Sequence, residues 1–503
     1  MSKLKLFLLG TLMLFLMAGL GAFALKAAAS LSTQEELDYG EGIVLWQAAN
    51  VMDWKTAYHP VEDYPHVVFH YPPLFHLTSR LFAGTTGHLL TAGRLTSILS
   101  LIGSCIVITL LTAMCLPSST STTGRWVAAL GAGTFIFTTP VWGWACFMRV
   151  DALAIFLSIA GIALFVLARK RPVLTFLSFA FFVAAVYTKQ TMIAAPAACV
   201  LLAFLQRPRL AAYLLVFAVS AGLMVLFILQ NVTDGLFLRN IIGYNQNPFL
   251  LRHVFGRWIE HGSKLPALLA VVAVIFPGAL FCRRVRSLSR FLQRVRLALG
   301  RSAFERCVIV VATYFWFAVA VVTVTIGKQG ADYYYFFEVD IAASILSGLF
   351  LGWLLRRVSF RRRGLHASLA ILVISLFLMH SVGNLLNLYQ AYNAFSRPAY
   401  NHSADVVRFL QALPGPVYSE DMTILQQAGK EIPAEPAIIT ALAMNNQWDE
   451  SSFLRRISNG EFRAIVVHSL ENRERFTESI AKAVYGRYSL YKEFGSFKVF
   501  LPK

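Results

Sequence analysis

The recurrence of long apolar runs constrains this chain more than any other feature. From Leu6 to Leu25 there is no charged residue, and comparable stretches return until about position 384. A run of about 18–20 apolar residues is long enough to cross the hydrocarbon core as a helix. Hydropathy places spans at 5–25, 95–116, 126–142, 150–168, 173–188, 190–206, 210–230, 265–281, 307–326, 338–355 and 365–384. With 57% hydrophobic residues and a mean hydropathy of +0.60, the chain reads as a polytopic α-helical membrane protein with about 11 transmembrane helices. Lys3 and Lys5 could open a signal peptide, but the run that follows exceeds the usual ~7–15-residue apolar core of one and reads as a retained first helix.

The net charge of +19 is distributed by side. With the N-terminus inside, the cytoplasmic segments hold twenty-one Lys and Arg against one acid, Glu305. They include Arg125, Arg169 to Arg171, Arg207, Arg209, eight arginines from Arg283 to Arg306 and five from Arg356 to Arg363. The opposite segments before residue 385 are nearly balanced. This is a positive-inside pattern, with attraction to anionic membrane lipids, and no nucleic-acid partner is needed to explain it. The expected placement is a multi-pass protein, in a bacterial inner membrane, with a cytoplasmic N-terminus and an extracytoplasmic C-terminal domain.

The expected organisation is a transmembrane domain over 1–384, with outer loops at 26–94 and 231–264, and an extracytoplasmic α/β domain over 385–503. In that tail, short β-like runs (Val417-Tyr418, Ala464 to Val467, Lys498 to Leu501) alternate with amphipathic segments at Ser403 to Ala412 and Phe476 to Val484. Cys105, Cys115, Cys146, Cys199, Cys282 and Cys307 lie in or beside apolar runs without metal-ligand spacing, and read as small buried residues. Asn231-Val-Thr and Asn401-His-Ser fit the glycosylation sequon.

The first outer loop is far longer than a connection needs. Between Leu37 and His76 it carries Asp38 and Glu41 flanked by Gly40 and Gly42, three further acids (Asp53, Glu62, Asp63), four histidines (His59, His66, His70, His76) and a His70-Tyr71-Pro72-Pro73 turn. The alternatives are a solvated linker and a reaction site, in which a partly desolvated carboxylate serves as general base. Arg149 and Asp151 are two apart, diverge on a helix and each require another partner. Arginine suits phosphate. Lys189 is the lone charge in the polar break Tyr187 to Thr191 between two short spans. It either snorkels to the surface or faces a phosphate, with Gln190 adding a neutral hydrogen bond. Such short helices leave a cavity near the outer surface. Lys328 to Glu338 leads into the tenth span, and Glu338 sits at the edge of its apolar run. Trp142, Trp144 and Tyr244 read as interfacial belt.

The ordered set Asp38-Tyr-Gly-Glu-Gly42, Tyr71-Pro-Pro73, Gly93-Arg94-Leu95, Arg149-Val-Asp151, Thr188-Lys-Gln190 and Gly330 to Glu338 resembles the GT-C glycosyltransferases. Within them it resembles the group that includes protein O-mannosyltransferases and the lipid A aminoarabinose transferase. The likeness runs along almost the whole chain, the tail included (Ser419-Glu-Asp421, Ala428-Gly-Lys430, Trp448-Asp449). It departs at Gly40, where many relatives have adjacent Asp-Glu, and at Tyr334, where asparagine is frequent.

The resemblance implies transfer of a sugar from a polyprenyl-phosphate donor to a lipid, glycan or protein acceptor on the outer face, with inversion. Asp38 or Glu41 would be the catalytic base. Arg149, Lys189, Gln190 and Lys328 would bind the donor phosphate, with His70, Tyr71, Arg94, Asp151, Tyr335 and Glu338 completing the site. Some relatives use a divalent metal (Mg or Mn), for which Glu41 or Asp151 would be ligands; no other cofactor is implied. The main competing class is a transporter or flippase of a lipid-linked or amphipathic solute. It would call for inverted repeats and mid-membrane charges, whereas the chain has no internal repeat and its candidate charges cluster at one surface.

Overall fold

The computed structural model describes residues 3–168, 171–245, 247–264, 267–281, 287–357, 365–396 and 402–503. Arg169, Lys170, Cys282, Arg283, Arg284, Arg286, Arg361 to Arg363 and the Asn401 sequon lie outside the described residues. The chain is an integral membrane protein, mostly helical. Among the described residues, six helices are long and apolar enough to cross a bilayer: Leu6–Ser32, Leu89–Cys115, Pro208–Val232, Ala303–Thr325, Tyr333–Arg356 and Ile371–Ser396. Pro172–Val186, Ala194–Gln206 and Val271–Phe281 are apolar but shorter.

The stretch expected as one span at 126–142 is broken. Helix Thr122–Thr134 gives way to 3₁₀ turns at Phe135–Thr138 and Pro140–Cys146, and the second turn bends by 112° into helix Asp151–Leu167. Pro140 lacks the N–H that would continue a helix. This break sets Trp144 and Arg149 on irregular backbone at one rim of the bundle.

Helix Phe337–Arg357 runs through the middle of the bundle and is almost wholly buried. Gly348 lets it approach helix Thr122–Thr134 closely, since a Cβ there would collide with Ala132. At the periphery, helix Pro208–Val232 exposes Tyr213, Val216, Leu223, Met224 and Phe227, a surface that only lipid suits. Cys115, Cys146, Cys199 and Cys307 are buried as free thiols. The expected boundary at 385 falls inside helix Gly383–Ser396, which packs on the first helix through Asn384 Nδ2 to the Phe15 carbonyl (3.2 Å).

Beyond it, four strands form one sheet: β1 (Val417–Ser419), β2 (Ala464–Val467), β3 (Tyr488–Phe494) and β4 (Phe497–Pro502), in the order β1-β2-β4-β3. β1 and β2 are parallel and the other pairs antiparallel. β2 is buried along its whole length, as its Ala-Ile-Val-Val sequence predicts for a strand covered on both faces. Gly495 (φ +58°) makes the tight β3–β4 turn. Helices Ser403–Ala412 and Glu478–Arg487 lie where the amphipathic segments were read.

The first outer loop is folded between the bundle and this sheet domain. His66 donates its backbone N–H to the Pro433 carbonyl (2.9 Å) and accepts from Glu435 N–H (3.0 Å), and its ring packs on Trp448 at 5.2 Å. Gln426 Nε2 donates to the Gly42 carbonyl (3.2 Å). Val61, Val68 and Tyr244 share one hydrophobic core with the sheet domain. The loop is therefore held by both parts of the chain.

Candidate active site

Asp38 stands just before helix Gly40–Asn50, where its Oδ2 accepts the Gly40 N–H (3.2 Å). The same oxygen lies 3.2 Å from Arg149 Nη1, and both side chains are largely buried. Gly40 makes this meeting possible. A Cβ there would overlap the Arg149 guanidinium, with Cζ only 2.7 Å away. The glycine that departs from the family pattern is thus the opening through which Arg149 reaches Asp38.

Glu41 is turned the other way. Its side chain and that of Arg94 are both 0% exposed and form a two-point fork, Nε to Oε1 at 2.8 Å and Nη2 to Oε2 at 2.7 Å. Met148 N–H (2.7 Å) and Leu37 N–H (2.8 Å) also donate to the same carboxylate. Arg94 further donates to the carbonyls of Ser30, Thr33 and Glu35. Glu41 and Arg94 therefore sit behind the site wall, and neither lines the cavity.

The cavity itself measures ≈510 Å³ and brings together Asp38, His70, Tyr71, Arg149, Lys189, Gln190, Lys328 and Tyr335. Asp151, at the start of its helix, lies 2.5 Å from Lys189 Nζ. It supplies the buried ion-pair partner of Lys189. Glu338 is buried at the N-terminus of its helix, outside the cavity wall, within electrostatic range of Lys189. Gln190 donates to the His70 (3.2 Å) and Ile241 (3.4 Å) carbonyls, and its Oε1 is left without a partner. Arg149 Nε and Asp151 Oδ2 are likewise buried and unpaired.

Aromatic rings separate the two cations. The Tyr334 ring lies 5.1 Å from Arg149 Cζ and 4.8 Å from Lys189 Nζ, and Tyr335 lies 4.7 Å from Lys189. Trp144, read from sequence as interfacial belt, instead lines the cavity, 5.7 Å from Arg149 and edge-on to Tyr334 at 5.1 Å. Contacts of this kind attract each cation by about 0.5–2 kcal/mol. They add to the acid that pairs with each cation, Asp38 with Arg149 and Asp151 with Lys189, and hold both cations against one aromatic wall, where their charge and N–H groups suit a phosphate.

His70 packs on Tyr71 at 4.3 Å, with Nδ1 3.2 Å from Gln47 Nε2. Burial, followed by the neighbouring Arg149 charge, pushes its imidazole down to about 4, so it serves as a neutral hydrogen-bonding group. Gln47 also reaches the Val68 carbonyl (2.9 Å) and His76 (2.9 Å), fixing the turn before Pro72. Lys328 is tied into the rim by its backbone, through a bridge to Phe249.

The sheet domain closes the cavity. Tyr39 donates its hydroxyl to Glu435 (2.7 Å), and Arg475 stacks on the Tyr39 ring at 3.3 Å. Glu435, Glu474 and Arg475 all line the cavity. Sequence reasoning missed these residues, together with Tyr39; Tyr334, noted there as a departure from the GT-C pattern, lines the cavity between the two cations. Glu41 and Asp151, the acids considered for a divalent metal, are each committed to a buried cation. Among the described residues no group of three or more His, Cys, Asp or Glu could hold an ion. As placed, neither acid is free to hold Mg or Mn.

A helical bundle with a long first outer loop, a cavity at its rim and a C-terminal cap is the GT-C fold of membrane glycosyltransferases. The chain is similar to ArnT from Cupriavidus metallidurans bound to undecaprenyl phosphate (TM-score 0.60, 15% identity, 98% of each chain covered). It is also similar to the oligosaccharyltransferase of Archaeoglobus fulgidus. In the apo form the TM-score is 0.51 at 13% identity over 100% of this chain and 75% of that one. In complex with Zn and sulfate it is 0.52 at 12% identity over 97% and 72%. No family model and no curated protein matches the sequence.

Proposed function

We propose that the protein is an integral-membrane glycosyltransferase that moves a sugar from a polyprenyl-phosphate donor to a hydroxyl-bearing acceptor at the extracytoplasmic face, with inversion. The observation that carries this reading is the pairing of Asp38 with Arg149 at the wall of a cavity that also holds Lys189. A carboxylate and two cations meet there on a fold whose ArnT example is bound to undecaprenyl phosphate.

In this reading the donor phosphate lies between Arg149 and Lys189 and draws Arg149 away from Asp38. The acceptor oxygen attacks the anomeric carbon as the bond from that carbon to the phosphate oxygen breaks. The electron pair leaves on the phosphate and the acceptor proton passes to Asp38, which later returns it to solvent. Preorganised charges aimed at a developing anion are worth about 10²–10³ in rate each. Glu41, held by Arg94, positions the loop rather than taking the proton. The multi-pass bundle supplies a membrane-embedded path for the lipid tail, and the sidedness of the arginines supports an N-terminus in the cytoplasm and a cap outside.

The test is an assay of purified protein in lipid nanodiscs supplied with undecaprenyl-phosphate sugars and an envelope extract as acceptor. Sugar-dependent release of undecaprenyl phosphate that Asp38→Asn abolishes supports the reading. Full turnover by that variant would remove Asp38 as base, and solute movement across sealed vesicles without bond cleavage would replace the enzyme with a transporter.

A further inference from the structure

A second cavity, ≈370 Å³, lies between the first outer loop and the sheet domain. That size falls within the ~300–1,000 Å³ typical of small-molecule sites. Asp38, Tyr39 and Arg475 line both cavities, so the proposed base stands in the wall between them. The two chambers differ in charge. The first mixes the cations Arg149, Lys189, Lys328 and Arg257 with the acids Asp332, Glu435 and Glu474, whereas the second is lined by Glu36, Glu420 and Asp421 besides Asp38, with Arg475, its one Lys or Arg among the described residues, stacked on the Tyr39 ring.

One carboxylate oxygen beside the second cavity lacks a protein partner. Glu36 Oε2 is sealed from solvent and makes no hydrogen bond. Glu420 Oε2 accepts His468 N–H (2.8 Å). Asp421 is held in place by capping helix Met422–Gln427 through Thr423 N–H (2.8 Å) and Ile424 N–H (3.2 Å). Burial, and then the nearby Asp421 carboxylate, raises the Glu36 carboxyl well above its usual range. His468 packs on Phe497 at 4.5 Å, giving the cavity a flat ring surface beside its acids, and Asn472 adds an amide.

We infer that this second cavity is the acceptor subsite and that the acceptor it takes is an uncharged, hydroxyl-rich saccharide, presented to Asp38 from the side opposite the donor phosphate. The inference rests on the proposed transferase reading. Carboxylates and an amide around a ring surface accept hydrogen bonds from sugar hydroxyls. A phosphorylated or carboxylated acceptor would instead place its anion among four acids. An inverting displacement also requires acceptor and leaving group on opposite faces of the anomeric carbon, which two chambers meeting at Asp38 provide.

The experiment uses the full chain in nanodiscs on an array of neutral, phosphorylated, sulfated and uronate-bearing oligosaccharides, followed by titration of the best neutral oligosaccharide and, separately, of undecaprenyl phosphate. Neutral saccharides are expected to bind. Glu420→Gln and Asn472→Ala should each weaken that binding about tenfold and leave the undecaprenyl phosphate affinity within twofold, with Arg149→Ala doing the reverse. Preference for anionic saccharides, absence of saccharide binding, or binding indifferent to both variants would overturn the inference. Loss of undecaprenyl phosphate binding in the unmodified protein would count against the transferase reading instead.

Discussion

Glu41 and Arg94 form a fully enclosed fork, 2.7 Å at its shorter arm, between the first outer loop and helix Leu89–Cys115. Removing one partner leaves the other charge buried and alone, at a cost of about 3–5 kcal/mol. Arg94→Met and Glu41→Gln are therefore expected to lower the unfolding temperature in detergent markedly. Asp38→Asn, whose partner Arg149 still faces the cavity, should lower it less while reducing turnover by at least about 10²-fold. Thermal unfolding and turnover measured on the same preparations separate the two acids, and equal stability loss in all three variants would contradict the assignment.

Gly40→Ala places a methyl group where the Arg149 guanidinium now lies. Arg149 must leave Asp38, and the expected result is about tenfold or greater loss of undecaprenyl phosphate affinity with the fold retained, read by titration and circular dichroism. An unchanged affinity would mean that the guanidinium position beside Gly40 is not the one that serves the phosphate.

Lys189 and Asp151 are 3–4% exposed and mutually dependent. Lys189→Met alone should destabilise by about 3–5 kcal/mol, and the double change Lys189→Met with Asp151→Leu should recover most of that. Turnover should stay low in both. A double mutant as unstable as the single would show that the pair is not coupled.

Much of this arrangement is legible in the sequence. The apolar runs and the sidedness of the arginines put Asp38, Arg149, Lys189, Gln190 and Lys328 on one face, and the structure gathers all five around one cavity. What could not be read was rotation. Asp38 and Glu41 are alike in charge, but Gly40 opens a helix between them, and the turn directs Glu41 into the bundle. Tyr39 reaches Glu435 across 396 positions, and no local pattern carries a contact of that range. Trp144 looked like any interfacial tryptophan because the 112° bend that swings it inward is a tertiary outcome. β3 went unread because Ser489, Lys492 and Glu493 mask its pairing with β4.

His70 yields a pH prediction with a definite sign. Its native imidazole lies at about 4 and its unfolded value near 6.5, so the unfolded chain binds the extra proton. The stability that neutral His70 permits is present above about 6.5 and is lost as pH falls toward 4. His76, pushed by burial down to about 3, adds in the same direction. The measurement is unfolding at pH 7.5 and 5.0. His70→Asn should narrow the gap between the two, and an undiminished gap would refute the account.

Tyr39 clamped by Glu435 and Arg475 has a consequence for biosynthesis. Translation delivers the cation cradle early and the residues that seal it last. A nascent or truncated polypeptide ending before Arg475 would lack the cation that stacks on Tyr39 and would leave that side of the chamber open to water.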